Sequence, residues 1–137
     1  NKETTKYYVQ QPKNFVYGLD RTTDKQITVV TEGQLDAVAI DGVAIGSNNM
    51  SQDQSKIIEK TGNRIILLPD ADVAGLRLVK QALERGCSVS FPPWDADIKD
   101  ANDAVQRYGK LFTVKSILDF SVDNSTKAEV MARKYCK

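Results

Sequence analysis

The feature that most restricts the fold is the stretch RIILLPDADVAGLRL, residues 64–78. Four consecutive apolar side chains run into two carboxylates, Asp70 and Asp72, then a glycine, then helix-period sequence. A strand with one wet face alternates apolar and polar residues, whereas a continuous run implies burial on both faces, as in a parallel sheet covered by helices. QITVVTEG repeats the pattern upstream, predicting a strand over Ile27–Thr31 ahead of Gly33. VAIGS and CSVSFPP predict two more strands, with helical spacing in the segments between. The expectation is an α/β fold, an open, mainly parallel four-stranded sheet flanked by helices, with a helical C-terminal tail. In such sheets ligands bind at the carboxyl ends of the strands.

The intervening helices have readable limits. QLDAVAI places Leu35, Val38 and Ala39 at helical spacing and stops at Gly42. SQDQSKIIEKTG offers Ser51 as N-cap and Gly62 as terminator. The helix after Asp72 is expected over residues 73–85, with Leu76, Val79 and Leu83 on one face. DANDAVQRYG reads as a short helix, and two more follow, one from Leu111 and one in TKAEVMARKYCK. Residues 1–26 are polar and basic (Lys2, Lys6, Lys13, Arg21, Lys25), and Phe15-Val16-Tyr17 is their single apolar island. They read as a lead-in from a preceding subdomain, with the main domain at 27–109 and a helical extension at 110–137. The first residue is Asn, not Met, so the sequence reads as a piece of a longer chain.

Composition narrows the chemistry. The chain has no histidine and two cysteines, Cys87 and Cys136. A Ser-His-Asp triad, a histidine base and a CxxC zinc knuckle are therefore excluded within it. Cys87 reads as a buried small hydrophobe and a reducing cytoplasm as the compartment. No apolar run reaches the ~18 residues of a membrane span. Nineteen Lys and Arg nearly balance eighteen Asp and Glu, so any polyanion contact must be local.

Carboxylates remain. Glu32 follows the first strand, Asp70 and Asp72 the third, and Asp95, Asp97, Asp100 and Asp103 the fourth. Neighbouring parallel strands would gather them at one rim, where they repel unless a cation joins them. Oxygen-only donors point to Mg²⁺ or Mn²⁺. Residues two apart in extended backbone face the same side, so Asp70 and Asp72 can address one ion. Asp72 reads equally well as the cap of the next helix. Gly33 and Gly75 would allow phosphate to approach the backbone, near a helix N-terminus.

The pair VVTEGQLDAVAI and ILLPDADVAG resembles the two motifs of the TOPRIM domain, a Rossmann-like fold of DNA primases, type IA and II topoisomerases, OLD-type nucleases and RecR-like proteins. The flanks are similar to those of primases. FVYGLD resembles their LYGL, EGQLDAVAI their EGYMDVVAL, AIGSNNMS their glycine-serine loop, and KDAN the KDAN of phage primase-helicases. Asn102 stands where bacterial primases usually have aspartate, which argues against a metal role for it. Two further features depart: Leu76 stands where bacterial primases usually have arginine, with Arg77 one step later, and the basic entry segment is less arginine-rich than theirs. These departures and the KDAN point to a phage or prophage enzyme.

The resemblance implies a catalytic-core fragment of a DNA primase, a metal-dependent nucleotidyltransferase making RNA primers in replication. Glu32, Asp70 and Asp72 would be its catalytic, metal-linked acids, with Asp36 and Asp100 supporting the metal. Lys99, Lys80 and Arg77 are candidate phosphate partners, and Lys13 and Arg21 candidate contacts to template backbone. The implied partners are single-stranded DNA, ribonucleoside triphosphates and a replicative helicase. The alternatives are a nuclease or topoisomerase fragment using the same acids, and a non-catalytic binding domain.

Overall fold

The structure is a computed structural model and describes residues 15–137. Lys13 lies outside the described residues. Five strands, β1 (Ile27–Thr31), β2 (Val43–Ala44), β3 (Arg64–Leu67), β4 (Ser88–Ser90) and β5 (Ser121–Val122), form one sheet in the order β2-β1-β3-β4-β5. The first four are mutually parallel and β5 is antiparallel to β4. Around them lie α1 (Gln34–Ile40), α2 (Gln52–Glu59), α3 (Gly75–Glu84), α4 (Ala101–Tyr108), α5 (Lys110–Asp119) and α6 (Ser125–Tyr135).

The expected continuous strands are buried as argued. Val30 and Leu67 pack into a core with Leu78, Val79 and α6 on one face, and Val29 and Ile66 into a second core with Ile40 and Ile117 on the other. α2 begins as its sequence suggests: Ser51 Oγ accepts the Gln54 N–H, and the Gln54 side chain accepts the Ser51 N–H. Gln54 also donates to the carbonyls of Phe15 and Ile45, fastening the loop after β2 to the lead-in.

Two features differ from the sequence expectation. The sheet gains β5, a two-residue strand that runs back along β4 after α5. The lead-in also enters the core. Val16 is buried in the first cluster, and Tyr17 exchanges backbone hydrogen bonds with Ala44 beside β2. No helix among the described residues is long and apolar enough to cross a membrane. Both cysteines are buried and unpaired with each other.

Candidate functional site

The connection from β1 leads outward to β2, and the chain then crosses back to place β3 on the other flank of β1. The strand order therefore reverses between β1 and β3, which opens a crevice at their carboxyl ends. Glu32 and Asp70 stand there. Glu32 is buried, and its Oε2 accepts the backbone N–H of Asp70 at 2.8 Å. Thr31 Oγ donates to the Gly33 carbonyl at 2.9 Å and fixes the turn that carries Glu32 into α1.

Asp36, one turn into α1, is also buried and accepts the backbone N–H of Asn102 at 3.0 Å. Asp100 caps the same helix, accepting the Asp103 N–H at 2.8 Å. Two carboxylates thus hold the first turn of α4, whose exposed N–H groups favour negative charge. Asp72 is exposed, and its carboxylate accepts the N–H of Gly75, the first residue of α3, at 3.0 Å, while Ala74 holds the N-cap position of that helix.

The electrostatics follow from burial without a counter-charge. Burial, then the charges of Glu32, Asp72 and Asp100, pushes Asp70 up to about 7. Burial pushes Asp36 up to about 6; the Asn102 hydrogen bond opposes this, and Asp100, Asp70 and Asp103 add to it. Glu32 is raised by burial against the lowering effect of its Asp70 hydrogen bond, with Asp72 and Asp36 adding repulsion. Each leading charge acting on these three groups is negative. Such a set suits a hard dication. Among the described residues no three acidic or thiol side chains converge closely enough to hold an ion by themselves.

Two cavities adjoin the acids. One, of about 400 Å³, is lined by Glu32, Gly33, Leu35, Asp36, Asp100 and Asn102. The other, of about 360 Å³, is lined by Asp70, Asp72, Lys99 and Asp100, so Asp100 borders both. Lys99 is the basic residue the structure brings to the acids. Lys80 instead lines a separate groove between α3 and α6 with Glu129 and Arg133, and Arg77 is exposed on α3 away from both cavities. Arg21 is committed elsewhere: its guanidinium donates to the Gly42 carbonyl and stacks over Tyr17. Gly33 lines the first cavity, as a phosphate approach would need. Gly75 is buried, and a Cβ there would lie 2.5 Å from the Asp70 carbonyl oxygen, so its missing side chain serves internal packing.

Two contacts at the site were not visible in the sequence. The Asn102 backbone links α4 to Asp36, and only a three-dimensional arrangement could reveal that. Cys136, just past the end of α6, lies against the Asp70 loop, its Sγ donating to the Asp70 carbonyl at 3.6 Å; nothing in the local sequence signals that contact.

Comparison with known proteins agrees with this geometry. The Toprim-like family model matches residues 29–105. Among curated proteins none matches the sequence. Among solved structures, the E. coli primase catalytic core superposes with a TM-score of 0.68 at 20% identity, covering 90% of this chain and 45% of that one. A DnaG primase catalytic domain bound to single-stranded DNA gives 0.67 at 20%, covering 88% and 44%. The zinc-binding and RNA polymerase domains of the Aquifex aeolicus primase give 0.65 at 18%, covering 93% and 38%. This chain spans less than half of each of those chains, and at such identities the likeness shows the fold. With a family match over more than half its length and the acid pair at the sheet's switch point, the chain belongs to the Toprim-like family.

Proposed function

We propose that the chain is the TOPRIM portion of a primase-type nucleotidyltransferase, joining ribonucleoside triphosphates into RNA primers on single-stranded DNA. The observation that carries this reading is the buried, uncompensated acid cluster at the carboxyl ends of β1 and β3, in a fold shared with primase catalytic cores. A solved relative of the same fold is described as bound to single-stranded DNA, which supports that partner.

Glu32 and Asp70 are the acids best placed to hold Mg²⁺ or Mn²⁺, with Asp72 at the exposed edge and Asp36 and Asp100 behind. Bound there, a divalent ion would neutralise the triphosphate and favour departure of pyrophosphate. The protein's own groups prepare the site. The Asp70 N–H orients Glu32, and Asp36 anchors α4 so that Asp100 stays at the border of the two cavities. Lys99 is the favoured phosphate partner because it lines the cavity beside Asp70 and Asp72. Arg77 and Lys80 remain candidate nucleic-acid contacts outside the two cavities, and a replicative helicase in a bacterial host cytoplasm is the expected context, with a phage or prophage as source.

An amide-resolved NMR titration with Mn²⁺ or Mg²⁺ tests the site. Signals of Glu32, Gly33 and residues 70–72 should move or broaden in the wild type and stay still in Asp70→Asn. Unmoved wild-type signals at millimolar ion would sink the metal reading. Assaying a longer chain for primer synthesis and for strand cleavage then separates a primase from a nuclease with the same acids.

A further inference from the structure

Asp70 is tied through both of its backbone polar groups, to different elements. Its N–H donates to Glu32 beyond β1, and its carbonyl accepts from Cys136 at the end of α6. The helix reaches that point by close packing: Ala128 and Ala132 are buried, and α6 lies along α3. Tyr135 meets Phe91 edge to face, with centroids 5.5 Å apart and planes at 71°, just beyond β4. Cys136 is 2% exposed. Opposite it sits Gly75, where a Cβ would come within 3.2 Å of the Cys136 sulfur as well as colliding with the Asp70 carbonyl. The loop of residues 70–75 and the last turn of α6 are therefore nested with no spare room.

We propose that the last turn of α6 is a positioning element for the Asp70 loop, acting through Tyr135 and Cys136. The helix lies beyond residues 29–105 that match the family model, yet it braces the central acid of the site from beneath. The thiol is a weak donor, and its hydrogen bond to the Asp70 carbonyl restricts the tilt of that peptide. The orientation of the Asp70 carboxylate relative to Glu32 then depends on α6. This rests on the proposed function only in the importance it gives Asp70; the contact is a property of the metal-free chain.

Native-state hydrogen exchange on the metal-free protein is the test. Cys136→Ala should speed exchange of the Asp70 and Gly75 amides about tenfold relative to the Ile66 amide in β3, and Cys136→Ser, which keeps a donor, should stay within about twofold of wild type. Ala128→Gly, a destabilising change farther up α6, should move all of these amides together. If Cys136→Ala leaves the Asp70 and Gly75 amides unchanged, or moves them only in step with Ile66, the positioning role is overturned. Should Cys136→Ala fail to fold, Tyr135→Leu loosens the same end of α6 from the Phe91 side. Selective acceleration at Asp70 would then support the proposal, and uniform acceleration would overturn it. Failure of the wild type to bind Mn²⁺ would remove the proposed function while leaving this exchange result intact.

Discussion

The two ends of β3 treat charge in opposite ways. At its start Arg64 donates to Asp123 at 3.0 Å and to the hydroxyls of Ser88 and Ser121, and Ser88 donates to the same carboxylate. Asp123 is held below its ordinary range by the Ser88 hydroxyl and by Arg64. Beyond the other end Asp70 is half-buried among acids and raised to about 7. One strand thus has at its amino end an arginine paired with an exposed acid from beyond β5, and past its carboxyl end an unpaired, half-buried acid. The first arrangement is what a surface needs. The second opposes stability in the absence of a ligand, and such placement marks a site where something else supplies the missing charge.

The change with the largest expected effect removes the unpaired charge. Asp70→Asn should weaken Mn²⁺ binding at least tenfold and, in a longer chain with activity, lower turnover by about 10²-fold or more. Calorimetric ion binding and a primer-synthesis assay read these out. Arg64→Ala should leave both unchanged, and loss of ion binding in that variant would erase the contrast between the two ends.

Stability should show the same contrast with pH. A carboxyl raised above its unfolded value stabilises fully below the unfolded value, near 4, and that contribution is lost as pH rises through the folded value. For Asp70 and Asp36 the loss spans roughly pH 4 to 7. Metal-free Asp70→Asn, which mimics the protonated acid, should therefore match wild type near pH 4 and melt a few degrees higher above pH 7. Mn²⁺ at pH 7.5 should raise the melting temperature of wild type and leave the variant where it was. Equal pH profiles for the two proteins would mean that Asp70 carries no uncompensated charge.

A smaller effect is expected at the cap of α4. Asp100→Ala removes the acceptor for the Asp103 N–H and should cost about 1 kcal/mol in chemical denaturation, while Asp100→Asn, which keeps a cap, should recover most of it. If Asp100→Asn is as stable as wild type yet binds Mn²⁺ less tightly, the residue serves the ion as well as the helix.

How much of this was legible in sequence follows the range of the forces. β1 is the strand that ITVVT predicts, and α2 starts at the Ser51 that its capping box announces, because both depend on neighbours in the chain. β5 was not readable: Ser121 and Val122 form a strand only because α5 delivers them to the edge of β4. Val16 looked like part of a polar lead-in, and its burial goes with the pairing of Tyr17 to Ala44, with β1 and α1 between them in the chain. At the site the acids were visible as residue types at strand ends. Their division of labour was not. Asp100 caps a helix, Asp72 accepts the Gly75 N–H, Arg21 and Gly75 are taken up by internal contacts, and Lys80 faces another groove, all of which are set by tertiary geometry.

The smallest effect belongs to the paired end of β3. Arg64 and Asp123 expose 47% and 77% of their side chains, so solvent screens their attraction. Arg64→Ala should cost no more than about 1 kcal/mol, and added salt should shrink the difference from wild type further. Asp123 has the opposite pH sign to Asp70: its contribution is present above its unfolded value and fades as pH falls through the folded one. Asp123→Asn should therefore differ from wild type near neutrality and converge with it in acid, whereas Asp70→Asn diverges from wild type as the pH rises and in the stabilising direction. Denaturation of both variants from pH 3 to 8 places the two signs side by side, and a common sign would show that burial, rather than pairing, governs charge at both ends of the strand.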